Sequence, residues 1–132
     1  PMRYVVSAML LVVAVIHLMP LSGVLGSEQL ARLYGVPVSE PNLTILLRHR
    51  AVLFGFLGAL FAVAAFVPSL QQVAFVAGFV SVGSFLVIAR LEGGYNAEVA
   101  RVFNADLVAA LCLVVGAAAY VYVRRAGLGN GS

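Results

Sequence analysis

Charged side chains interrupt the apolar pattern of this chain only near the ends of four long runs, residues 4–21, 42–67, 70–91 and 97–123. A hydrocarbon core of about 30 Å needs roughly 20 helical residues to cross it. Each run therefore predicts a membrane-spanning helix, the first a little short and ending at Pro20. Residues 21–41 form the one long connection. Pro68-Ser69 and Glu92-Gly93-Gly94-Tyr95-Asn96 are turns by composition. One long and two short links predict an all-α, up-down-up-down four-helix bundle forming a single transmembrane domain over residues 1–132.

Within the long connection, Ser27 to Tyr34 followed by Gly35 has the marks of a short helix, with Ser27 as N-cap and Gly35 just past the end. Leu30, Leu33 and Tyr34 fall on one face. This helix is expected to lie in the interface plane or to fold over the mouth of the bundle. His17 and Met19 stand where a cleaved leader would carry small residues, which favours a retained first span. Pro1 ahead of Met2 has the look of a remnant of tag removal, and residues 127–132 read as a small flexible tail.

Composition agrees with the pattern: 63% of residues are hydrophobic, 10% are charged and the mean hydropathy is +1.07. Soluble domains carry charge at about a quarter of positions, so the expected surroundings are a lipid bilayer. All eight basic residues are arginines and most sit at helix ends. A nucleic-acid surface would cluster them on a wetted face, so nucleic acid is excluded as a partner. Cys112, the single cysteine, lies in an apolar run and permits no intrachain disulfide.

The informative stretch is Arg48-His49-Arg50, which opens the apolar run starting at Ala51. Hairpin topology brings His17, Arg48, His49, Glu92, Glu98, Arg101, Asn104 and Asp106 to the same end of the bundle. At 100° per residue, Arg48 shares a stripe with Gly55, Ala59 and Ala62, small residues of the kind that mark packing faces in membranes. Arg48 is thus expected to point inward, and Arg50, aligned with Phe54, Leu57 and Phe61, to reach for the interface or for another subunit of a homo-oligomer. The last span groups Glu98, Arg101, Ala105, Ala109, Cys112 and Gly116, with Asn104 and Asp106 flanking them. The third groups Ala74, Gly78, Ser81, Ser84, Ile88 and Glu92.

An unpaired carboxylate two turns into a span is costly, so either Arg48 or Arg101 is expected to neutralise Asp106, or its carboxyl to hold its proton more tightly than usual. Arginines at helix ends are most often anchors, and single histidines are most often packed rather than ligands. Against that background the candidate proton carriers are His17, Glu98 and Asp106, with Arg48 stabilising negative charge. His49, Glu92, Arg101 and Asn104 are the candidate lining residues. Two histidines without fixed spacing are a weak metal or haem signal, and no cofactor is assigned.

Sorting the arginines also gives an orientation. Arg3, Arg124 and Arg125 mark one end without acids; Arg32, Arg48, Arg50, Arg90 and Arg101 face Glu28, Glu40, Glu92, Glu98 and Asp106 at the other. The positive-inside rule counts loop charge, and Arg48, Arg50 and Arg101 fall within helices. Both termini are therefore expected to be cytoplasmic.

The segment Leu47 to Gly55, with Gly93-Gly94-Tyr95-Asn96 and Asn104-Ala105-Asp106-Leu107, resembles small bacterial four-span inner-membrane proteins of unassigned function, DoxX-like in layout. Some of these carry a phosphopantetheine adenylyltransferase label. That soluble fold uses a histidine-rich nucleotide motif on a parallel sheet, which has no counterpart here. The resemblance implies a bacterial inner membrane and adds a quinone, or another lipid-soluble ligand, to the candidates. Three function classes follow: a hydrophobic small molecule bound and transformed by acid/base chemistry, as by an isomerase or hydrolase; a small transporter or channel; and a non-catalytic subunit of a membrane complex. Ser7, Ser81 and Ser84 are the main polar residues at depth, which ranks transport below the first class.

Overall fold

The computed structural model describes residues 1–130, with side chains through Gly127. The first apolar run becomes helix α1 (Met2–Leu18), which tightens into a 3₁₀ segment, Met19–Leu25. Pro20 has no N–H to continue the α-helical ladder, and the switch to 3₁₀ geometry occurs there. Helix α2 (Ser27–Tyr34) follows, then α3 (Pro41–Ala64), a 3₁₀ turn at Pro68–Leu70, α4 (Gln71–Glu92) and α5 (Ala97–Asn130). Four helices are long and apolar enough to cross a bilayer, Met2–Leu25, Pro41–Ala64, Pro68–Glu92 and Ala97–Gly127, the layout of a multi-pass membrane protein. The all-α bundle expected from the sequence is thus the observed architecture. Residues 127–130, expected to be tail, continue α5; Gly131 and Ser132 lie outside the described residues.

Caps explain several boundaries. Glu40 accepts hydrogen bonds from the backbone N–H groups of Asn42 and Leu43, both at 3.0 Å, and Pro41 occupies the first helical position, where no N–H is needed. Those backbone bonds, that of Asn42 first, hold the Glu40 carboxylate below its ordinary range. Its capping contribution is therefore present above that range and lost as pH falls through the folded value. At the other end of α3, Gln71 donates to the carbonyl of Ala64 at 3.0 Å and Ser7 to that of Ala65 at 2.6 Å. Ser7 is thus a helix-end partner rather than part of a polar path. Ser27 is not the N-cap of α2: Gly26 holds that position, and no side-chain cap bond is made. Gly35 ends α2 in the left-handed region at φ 66°, as expected.

The spans pack around Val6, Leu10 and Val13 of α1, Phe61 of α3, Phe75 of α4 and Ala109 and Leu113 of α5, all buried. The outer faces carry Val15, Phe56, Val76, Val80 and Leu111, apolar and exposed, as a lipid-facing surface requires. Helix α1 packs against both α3 and α5, and α4 packs against α5, while α3 and α4 share the loosest seam between adjacent spans. A second apolar cluster, Leu30, Tyr34 and Val38, seats α2 and the irregular segment after it against Leu47 and Val102.

Glycine permits the closest helix approach. A Cβ built at Gly58 would stand 2.6 Å from Leu18 Cγ and 3.2 Å from the Ala14 carbonyl oxygen, whereas one at Gly83 meets nothing within 4 Å. Gly58→Val is expected to separate α1 from α3 and destabilise the bundle by about 1–3 kcal/mol, while Gly83→Ala leaves stability unchanged or slightly raised. Thermal unfolding in detergent measures both, and equal effects would contradict the close approach at Gly58.

Candidate functional site

The end of the bundle under α2 contains a cavity of about 190 Å³. Ile16, Met19 and Pro20 form one wall, Leu33 and Tyr34 of α2 the roof, Phe54 of α3 and Val102 and Ala105 of α5 the remainder. Four charged residues meet it: Asp106, Glu98, Arg101 and Arg32. Asp106 is 5% exposed, whereas Arg101 is exposed and Glu98 half-buried. Glu98 lies eight residues before Asp106, about 12 Å nearer the mouth. The arrangement is an apolar chamber with one carboxyl set deep in it and an acid and two arginines at its rim.

Asp106 falls on the buried stripe of α5, in register with Ala109, Leu113 and Gly116, rather than beside it. Among the described residues the one ion pair is Arg32 to Glu28, at 3.9 Å on the surface. Neither Arg48 nor Arg101 neutralises Asp106. The charged group that acts on it is Arg50, which also acts on His17. Among the described residues no hydrogen bond reaches the Asp106 carboxyl, and its oxygens open on to the cavity.

Arg50, not Arg48, is the inward arginine. Its guanidinium lies over the rings of Phe54 (4.3 Å to the centroid), Tyr34 (5.2 Å) and Phe85 (6.0 Å), and it donates to the Tyr34 hydroxyl. Stacking on aromatic faces offsets part of the desolvation of a guanidinium. Arg48 is exposed, and its Nε donates to the carbonyl of Val24 at 2.9 Å. The small-residue stripe misled because near Arg48 it meets the 3₁₀ end of the first span rather than the bundle interior. The side chain of Leu21, in the 3₁₀ segment, fills the space at Gly55, and Ala59 is exposed. Arg48 accordingly caps that segment.

His17 is 1% exposed and sits beneath the chamber rather than in it. Nδ1 lies 3.0 Å from the Val13 carbonyl and Nε2 3.0 Å from Ser81 Oγ. A carbonyl only accepts, so Nδ1 carries the proton and, in the neutral ring, Nε2 accepts from the serine hydroxyl. Phe54 stacks on the imidazole and Phe61 meets it edge-on. With both nitrogens engaged, His17 ties α1 to α4 and does not line the cavity. Glu92, Asn104 and His49 are exposed and line no part of the chamber; His49 borders a separate groove between α3 and α4. In the third span, Ser84, Ile88 and Glu92 are exposed rather than packed, and the first two line the groove between α3 and α4.

Two residues outside the expected set complete the site. Asn96 caps α5 by accepting the Val99 N–H at 2.8 Å, and its amide donates to the carbonyls of Tyr34 (2.7 Å) and Gly35 (3.2 Å). It therefore clasps the roof helix to the start of α5. Tyr34 carries the roof's contact with Arg50. A turn ending in Asn before an apolar run signals the cap, but nothing local signals the clasp.

Arg50→Met is expected to destabilise the fold by about 2 kcal/mol or more, through loss of a charged hydrogen bond and ring stacking. Arg48→Met, which loses one exposed bond, is expected to have an effect near 1 kcal/mol or less. Unfolding in detergent ranks the two, and the reverse order would restore Arg48 as the inward residue. Comparison of the chain with protein-family models, with curated proteins and with solved structures finds no match.

Proposed function

We propose that this membrane protein binds a lipid-soluble small molecule in the chamber under α2, its apolar body against Ile16, Leu33, Phe54 and Val102 and its polar head against Asp106. The observation that carries this reading is the carboxyl itself, almost wholly buried, without a protein partner among the described residues and open to an apolar cavity. Its oxygens are reachable from the cavity and uncommitted to the protein, so a ligand hydroxyl or amine can hydrogen-bond them. Asp106 is also placed to exchange a proton with that head, with Arg50 beyond Phe54 and Tyr34 as the neighbouring positive charge. Acid/base transformation of the ligand thus centres on Asp106, with Glu98 at the rim and without His17. The resemblance to DoxX-like proteins drawn from the sequence, taken as part of this proposal, adds quinones to the ligands to be tried. The proposed location is a bacterial inner membrane with both termini cytoplasmic, supported by Arg3, Arg124 and Arg125 at an end without acids.

The probes are octanol and octylamine, added to protein in nanodiscs while its unfolding temperature is followed. Wild type is expected to be stabilised by at least one of them, Asp106→Asn less so, and Ala105→Phe, which fills the chamber, not at all. No shift for wild type, or a full shift for a folded Ala105→Phe protein, overturns the reading. Single cysteines near residues 3 and 126 in a Cys112→Ala background test orientation. Labelling from the periplasmic side would reverse it.

A further inference from the structure

The seam between α3 and α4 holds a second space, an open groove of about 660 Å³ that the chamber does not include. Its polarity changes along its length. His49 and Arg50 lie toward the end nearest the chamber mouth, and Leu53, Leu57, Ala77 and Val80 line it beyond them. From Leu46 to Leu57 the α3 wall runs about 16 Å. Ser81 and Ser84 also line it, but their hydroxyls bond His17 and the Ser81 carbonyl. Uncommitted donors are thus concentrated at one end. No carboxylate lines the groove, and among the described residues Arg50 has no acid within 4.0 Å. Of its five N–H donors, the structure engages one, with Tyr34.

We propose that this groove binds an anionic phospholipid of the surrounding leaflet, its phosphate held by Arg50 and His49 and one acyl chain laid along Leu53, Leu57 and Val80. The planar guanidinium matches two phosphate oxygens at once, and a basic pocket between spans is the kind of site that selects acidic head groups. A zwitterionic lipid offers the same chain but brings its own cation to Arg50. Charge complementarity and the direction of the apolar wall therefore both favour an acidic lipid, head toward the mouth. The groove does not require a ligand at Asp106, although Arg50 lines the groove and also acts on Asp106.

Native mass spectrometry of the protein in detergent, with phosphatidylglycerol and phosphatidylcholine of identical chains in equal amounts, tests it. Wild type is expected to retain phosphatidylglycerol in roughly tenfold excess, a difference of one charged contact. Arg50→Lys keeps the charge without the fork and should reduce that excess. His49→Gln alters an exposed residue away from the Tyr34 contact and should reduce it without disturbing the fold. Ala77→Trp fills the inner end of the groove and should release both lipids. Equal retention of the two lipids by wild type, or a preference unchanged in folded His49→Gln and Ala77→Trp proteins, overturns the proposal.

Discussion

A guanidinium inside a membrane bundle must find partners, and meeting that requirement organises one end of this molecule. Arg50 of α3 is enclosed by Tyr34 from α2, Phe85 from α4 and its own neighbour Phe54, and its field reaches Asp106 on α5 and His17 on α1. Every helix contributes to the setting of this one side chain. The aromatic faces are a mild counterpart compared with a carboxylate at contact distance. That mildness leaves Asp106 without a direct ion pair and therefore open to the chamber.

The roof of the chamber depends on backbone chemistry more than on apolar burial alone. Pro20 turns the end of the first span into a 3₁₀ segment, which carries the chain over α3 and seats Leu21 at Gly55. Helix α2 then crosses the mouth and stops at Gly35. That glycine is favoured by its positive φ, and a Cβ there would also push the Glu98 carboxylate aside. Asn96 reads the same turn from the other side by bonding its carbonyls. The roof is thus held at its C-terminal edge by one amide and by the Tyr34 hydroxyl.

Hydropathy alone located the four spans, since a run of some twenty apolar residues has few other uses, and Gly35 with the Leu30, Leu33 and Tyr34 face located the roof helix. The gathering of Glu98, Arg101 and Asp106 about one cavity also follows from the sequence, because they share a helix end. Facing was harder to read. Small residues at 55 and 59 suggest an α-helix contact, but the 3₁₀ segment took up one of them and exposed surface the other. The resulting error, about half a turn, exchanged Arg48 for Arg50. His17 shows a different limit: its partner Ser81 is 64 residues away, and only the vertical register of α1 against α4 brings the two level.

Helix α5 is unbroken from Ala97 to Asn130, and its charges fall at fixed intervals along a rigid rod. Between Asp106 and Arg124 lie seventeen residues without charge, about 25 Å of helix, slightly less than a bilayer core of about 30 Å. Arg124 and Arg125 anchor one end at a head-group layer, so the height of Asp106 relative to the opposite layer is set by the rod and not by the chain around it. A thinner membrane lifts the carboxyl toward water, and a thicker one draws it into hydrocarbon or tilts the helix. The thickness of the host membrane thereby becomes a variable in the hydration of this site.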